Sequence, residues 1–179
     1  MGEGSDDGGR LFLATLPDAG TAAQIHQRAT NLRRAHGFDG HPIAPQRLHV
    51  SLFFLGGLPS QAIPKVCDAI AGIRAPPFVV VFDRSVSFRG KPGSRPFVLI
   101  GDEGPTPLKW FRERLGAALA GIGFGRLARR GFTPHVTLLY DARSAEEHPV
   151  APVTWQVSEF VLVHSHNGHR HLARWRLRG

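Results

Sequence analysis

Two stretches decide the fold of this chain: Leu48-His49-Val50-Ser51-Leu52-Phe53-Phe54-Leu55 and Pro134-His135-Val136-Thr137-Leu138-Leu139-Tyr140. Both are apolar, rich in β-branched and aromatic residues, and bounded by glycine or proline, so both predict strands. Residues i and i+2 of a strand share a face, which sets His49 beside Ser51 and His135 beside Thr137. An imidazole and a hydroxyl therefore point the same way twice. Two such strands facing across a cleft offer two proton carriers and two hydroxyl donors to one small anion.

Outward from these stretches, an apolar strand over 11–16 stops at Pro17. A helix follows, with Ala22, Ile25, Ala29 and Leu32 on one stripe and Gly37 ending it. The first histidine strand, 48–55, leads to a helix over 60–73 with Ser60 as N-cap. Strands over 78–82, 85–88 and 96–100 surround a Gly/Pro turn at 90–93. Thr106-Pro107 marks a helix start, with Leu108, Phe111, Leu115 and Leu119 as its apolar stripe. A Gly- and Arg-rich stretch, 121–131, precedes the second histidine strand. Two closing strands, 153–165 and 170–178, meet at Asn167-Gly168, a two-residue hairpin signal. The order strand, helix, histidine strand occurs twice. It predicts two related lobes of antiparallel sheet with helices outside, inseparable as domains; alternation is too broken for a doubly wound parallel sheet.

The chain has 179 residues, 42% of them apolar, and a formal net charge of +8 dominated by arginine. That length suits one domain, residues 10–179, behind a Gly-rich acidic tail, 1–9, expected to be disordered. Arginine forks suit phosphate oxygens and stack on bases, which favours nucleic acid or another phosphorylated partner. Cys67 is the sole cysteine, so neither an intrachain disulfide nor a cysteine zinc site is available; a cytoplasmic setting is the expectation. No apolar run reaches the ~20 residues of a membrane span.

A histidine near its ordinary pKa of ~6.5 accepts or donates a proton at neutral pH, so a pair can divide the roles of base and acid. Phosphodiester hydrolysis needs both: water loses a proton as it attacks phosphorus, and the departing ribose oxygen gains one. The Ser51 and Thr137 hydroxyls would stabilise the non-bridging oxygens. The arrangement calls for no metal and no cofactor.

The paired tetrapeptides resemble the His-x-Thr/Ser-x motifs of the 2H phosphoesterase superfamily, and more narrowly the RNA 2′,3′-cyclic phosphodiesterases once called 2′-5′ RNA ligases. Arg10-Leu11-Phe12-Leu13-Ala14 is similar to that family's opening strand, and the stretch from Trp155 to Trp175-Arg176-Leu177 to its closing hairpin. The resemblance implies a bilobal α+β fold, its lobes related by a pseudo-twofold about a central cleft. It also implies metal-independent hydrolysis of a terminal 2′,3′-cyclic phosphate to a 2′-phosphate, reversible toward 2′-5′ ligation. By family assignment His49 donates the proton, His135 accepts one, and Ser51 and Thr137 hold the phosphate. Ser51 replaces the commoner threonine. Tyr140 stands where an arginine is common, with the next arginine delayed to Arg143. The aromatic residue often found before the first motif is missing from 41–45.

Further candidates for substrate contact are Phe53, by alternation on the face of His49, with Tyr140, Arg130 and Arg143. In the closing hairpin a two-residue turn would put His164, His166, His169 and His171 on one sheet face, as a metal site or a solvated tip. Arg170, Arg174 and Arg176 would line the other face. A monomer acting on RNA ends is expected. Two alternatives stay open: a basic module that only grips RNA ends, and a phosphodiesterase for another cyclic phosphate or a 2′-5′-linked nucleotide.

Overall fold

A computed structural model describes residues 10–179, so the tail expected over 1–9 lies outside the described residues. The elements run β1 (Arg10–Thr15), α1 (Ala19–His36), β2 (Val50–Gly56), α2 (Ala62–Ala71), β3 (Phe78–Ser87), β4 (Arg95–Ile100), α3 (Thr106–Ala120), α4 (Gly125–Ala128), β5 (Val136–Asp141), β6 (His148–Val157), β7 (Glu159–Ser165) and β8 (His169–Arg176). The strands form two four-stranded antiparallel sheets, ordered β2-β1-β7-β8 and β5-β4-β3-β6. The unit β1-α1-β2 matches β4-α3-β5, and each sheet carries its histidine motif at an edge, giving the bilobal α+β fold expected.

Helix α1 starts where the Asp18 carboxylate accepts the Thr21 N–H at 2.9 Å and stops at Gly37, whose φ of 64° is the left-handed turn glycine adopts freely. Although it follows β1, it packs on the second sheet: His36 meets Phe97 of β4 at 5.5 Å between ring centroids. Helix α3 follows β4 yet covers the first sheet, with Phe111 against Phe160 of β7 at 5.2 Å. Gly116 makes the approach close, since a Cβ there would sit 3.1 Å from Ala128 and 3.3 Å from the Phe53 ring and would press both aside. The exchanged helices interlock the lobes. Leu13, Phe82, Phe97, Phe160, Leu162 and Leu138 are buried beneath them. The other face of the first sheet carries a small, separate cluster of buried apolar residues, Phe12, Ala14, Val161 and Val163.

Several local expectations yield to context. Ser60 does not cap α2, which begins at Ala62 after Gln61 without a side-chain cap. Thr106 lies inside α3, with Pro105 at the cap position. The two short strands over 78–88 are one strand, β3, with a register shift against β6 between Phe82 and Arg84. The segment 153–165 is two strands in different sheets: the chain leaves the second sheet after Val157 and enters the first at Glu159. Burial alternates along β6, with Val153, Trp155 and Val157 inward, and becomes continuous in β7 from Phe160 to Val163, with exposed Ser158 between them. The closing turn is a three-residue loop, His166 to Gly168, with Ser165 paired to His169. Asn167 at φ 50° and Gly168 at φ 134° supply its curvature.

Candidate active site

Each catalytic candidate sits one residue before an edge strand, His49 before β2 and His135 before β5, and the two edge strands touch. The Nδ1–H of His49 donates to the Arg47 carbonyl at 2.7 Å, and that of His135 to the Thr133 carbonyl at 2.7 Å. A carbonyl only accepts, so both rings carry the proton on Nδ1 and keep Nε2 for chemistry. The imidazoles are close enough for the charge of His135 to lower the proton affinity of His49. Ser51 and Thr137 follow two residues later, both half-buried.

The strands then break their alternation at the same place. Ala14 pairs with Ser51 and Leu13 with Phe53, so Leu52 is extra; Val98 pairs with Thr137 and Phe97 with Leu139, so Leu138 is extra. Each is a β-bulge, and each sends two consecutive side chains into the core: Leu52 and Phe53 at 3% exposure, Leu138 and Leu139 at 0%. The bulged carbonyls find donors: Arg112 Nε at 2.9 Å for Leu52, the Ile43 N–H at 2.7 Å for Leu138. Past the bulge the faces exchange. Phe53 is therefore a core residue, not a partner of Ser51; Phe54, overlooked by simple alternation, returns to the Ser51 face opposite Phe12. Tyr140 returns to the Thr137 face in the same way, opposite Pro96. Phe54 and Tyr140 are 47% and 50% exposed, a matched pair of aromatic faces beside the two motifs.

The surroundings of the two histidines differ. His49 packs on Phe12 at 5.0 Å and meets His169 edge-on at 5.2 Å. Burial is the main force holding the His49 pKa below its ordinary value, opposed by the Arg47 carbonyl and reinforced by the charges of His135 and Arg47. The same crowding drives His169 down to about 4, through burial first and then His49, Arg47 and His171, so it is neutral at pH 7. His135 meets Phe88 edge-on at 5.0 Å. His169 and Arg47 went unnoticed as site residues: the hairpin register hid the first, and nothing local marks the second.

Other candidates are placed elsewhere. The Arg143 guanidinium is engaged by the Gly37 carbonyl and by Asp39 at 3.7 Å, fastening the end of α1. Arg130 is exposed, and its carbonyl accepts from Arg112 at 3.2 Å. The four hairpin histidines do not share a face. Pairing of His164 with Arg170 and of Val163 with His171 leaves His169 and His171 on the cleft side and His164 on the other. Among the described residues no three His, Cys, Asp or Glu side chains are grouped to hold a metal ion. A bulge at Leu172 splits the expected arginine row: Arg170 faces away, while Arg174 opposite Val161 and Arg176 opposite Glu159 join the cleft face.

The geometry matches a known family over most of the chain. The 2′-5′ RNA ligase superfamily matches residues 18–169. The chain belongs to this superfamily. This 2H phosphoesterase is 33% identical over 157 residues to the RNA 2′,3′-cyclic phosphodiesterase of Escherichia coli K12, covering 86% of the chain and 85% of that relative. Among solved structures, E. coli LigT complexed with 3′-AMP superposes with a TM-score of 0.77 at 25% identity, covering 96% of this chain and 99% of that one. TT0787 of Thermus thermophilus gives 0.73 at 24% identity over 95% and 98%, a likeness of fold. The superfamily member is thus an enzyme of the phosphodiesterase class. No helix among its described residues is long and apolar enough to cross a membrane.

Proposed function

We propose that the protein hydrolyses 2′,3′-cyclic phosphate at RNA ends to a 2′-phosphate without a metal ion. Water attacks phosphorus and gives a proton to Nε2 of His135; the P–O3′ bond breaks and the 3′ oxygen takes a proton from Nε2 of His49. The Ser51 and Thr137 hydroxyls donate to the non-bridging oxygens as charge grows there. The observation that carries this reading is a pair of imidazoles from different lobes, near enough for the charge of one to act on the other, each with its Nδ1–H tied to a backbone carbonyl. The name of the E. coli relative and the 3′-AMP held by LigT support the substrate class. Phe54 and Tyr140 offer faces for bases on either side of the phosphate. Membership of an enzyme superfamily sets aside the module that only grips RNA ends. A monomer in the cytoplasm belongs to the same proposal, and run backwards the site joins RNA ends through a 2′-5′ linkage.

The test is a panel of 2′,3′-cyclic mononucleotides, oligoribonucleotides with cyclic phosphate ends, and 2′-5′ dinucleotides, assayed with chelator present and with phosphorus NMR of the product. Cyclic ends opening to a 2′-phosphate are expected. Release of a 3′-phosphate, or activity lost to chelator, overturns the mechanism; turnover confined to the 2′-5′ dinucleotides overturns the substrate.

A further inference from the structure

The cleft face of the first sheet continues beyond the histidine strand in a direct row. Ser51 of β2 pairs with Ala14 of β1, Ala14 with Val161 of β7, and Val161 with Arg174 of β8. Three strand spacings of ~4.8 Å carry that row about 14 Å from the backbone of Ser51 to that of Arg174. Ala14 and Val161 between them are small and apolar and belong to the cluster with Phe12 and Val163. The bulge at Leu172 adds Arg176 to the same face, in line with His169 and His171. At the far end Arg74, Arg174, Arg176 and Arg178 surround a hollow of about 340 Å³ beside Trp175. The carboxylate paired with this group is Glu159, on Arg174.

The matching row in the second sheet ends differently. Thr137 pairs with Val98 and Val98 with Val86, but the margin beyond carries Glu146 and Glu147, and Glu147 holds Arg84 at 2.6 Å. A polyanion whose end lies between His49 and His135 must leave the cleft across one margin or the other. At the first margin arginines outnumber the carboxylate paired with them; at the second Arg84 is already held by two, Glu147 and Asp102.

We propose that the RNA strand leading to the reacting end leaves over the first lobe, its backbone phosphates held by Arg174 and Arg176 on β8 and by the arginine-lined hollow beyond. This presupposes the cyclic-phosphate hydrolysis proposed for the same cleft. Guanidinium forks along one strand face suit successive phosphates, and phosphate contacts position a strand without reading its sequence. Affinity should therefore grow with RNA length and weaken with salt.

The experiment compares kcat/KM for 2′,3′-cyclic AMP and for an oligoribonucleotide ending in a cyclic phosphate, in the wild type, in Arg176→Gln, and in the double variant Arg174→Gln/Arg176→Gln. The expected result is an oligonucleotide kcat/KM at least tenfold lower in the double variant. Its salt dependence should flatten by roughly 0.7 in log–log slope for each phosphate that is no longer neutralised. The mononucleotide is too short to reach Arg174 and Arg176 and should keep its wild-type value. Arg176→Gln leaves the Arg174–Glu159 ion pair standing and should show a smaller loss in the same sense. Equal losses on both substrates, or no loss on the oligonucleotide, overturns the track. A wild type inactive on both substrates overturns the hydrolysis itself.

Discussion

His49 and His135 open the same tetrapeptide and are built alike as far as the bulge, yet the two lobes surround them differently. His49 lies among Phe12, His169 and the charge of Arg47, whereas His135 meets a single ring, Phe88. Even the aromatic neighbour comes from a different strand. Phe12 is on β1 opposite Val163, while at the corresponding place of the second sheet β4 has Pro96 and the ring comes from Phe88 beyond β3. The bulged carbonyl of Leu52 is held by a guanidinium and that of Leu138 by a backbone N–H. The repeated motif sets the tautomer and the aim of each imidazole; the surroundings of the first lobe lower the proton affinity of His49.

The largest effects should come from the imidazoles. His49→Ala and His135→Ala should each lower kcat on a cyclic phosphate by about 10²–10⁴, with thermal midpoints near wild type because neither side chain is core. Undiminished turnover in one of them would mean that the lobes differ in necessity and not only in role. Next are the hydroxyls: Ser51→Ala and Thr137→Ala should cost about 10²–10³ in kcat if they donate to charge that develops in the transition state. Ser51→Thr, which restores the methyl found in the other lobe, should stay near wild type. A similar loss in Ser51→Thr and Ser51→Ala would show that shape at this position outweighs the hydroxyl.

Arg112 tests how the first motif is supported. Its guanidinium lies 4.3 Å from the Phe53 ring centre and 4.8 Å from that of Phe132, and it also donates to the carbonyls of Leu52, Leu127 and Arg130. It thus ties β2 to the segment leading into the second motif. Arg112→Ala should destabilise by about 2–4 kcal/mol in urea unfolding, since it leaves buried carbonyls without a donor and removes two cation–π interactions. Arg112→Lys should recover only part, because an ammonium lacks the fork. A full recovery would reduce Arg112 to a point charge.

The smallest effect is on pH dependence. Burial and neighbouring cations hold His169 at about 4 and also lower His49, His171 and His36. The unfolded chain takes up protons on these imidazoles near pH 6.5 while the folded one resists. Stability should therefore fall as pH drops from about 6.5, and the His169 share should continue to fall until about 4. Below that, the lowered carboxyls of Asp18 and Asp141 act in the same sense. His169→Phe keeps a ring against Phe12 and should flatten the decline, as measured by urea midpoints at pH 7, 5.5 and 4. An unchanged decline would place the buried proton acceptor elsewhere.

The sequence by itself determined the two motifs, the hydroxyl beside each imidazole, the repeated strand–helix–strand order, and through these the family. Those features are local: composition, alternation and capping residues such as Asp18 and Gly37 act within a few positions. Tertiary structure alone decided which residues share the cleft. The extra residues Leu52 and Leu138 exist only relative to β1 and β4, strands distant in the chain, and Leu172 only relative to its hairpin partner β7; each reverses the alternation that follows it. That reversal buried Phe53, exposed Phe54 and Tyr140, and brought Arg174 and Arg176 to the face of His169. Likewise, exposed Ser158 parts two strands that belong to different sheets, and only the pairing partners of each assign them there. Alternation records a period of two; register is fixed by the partner strand, and the partner is not local.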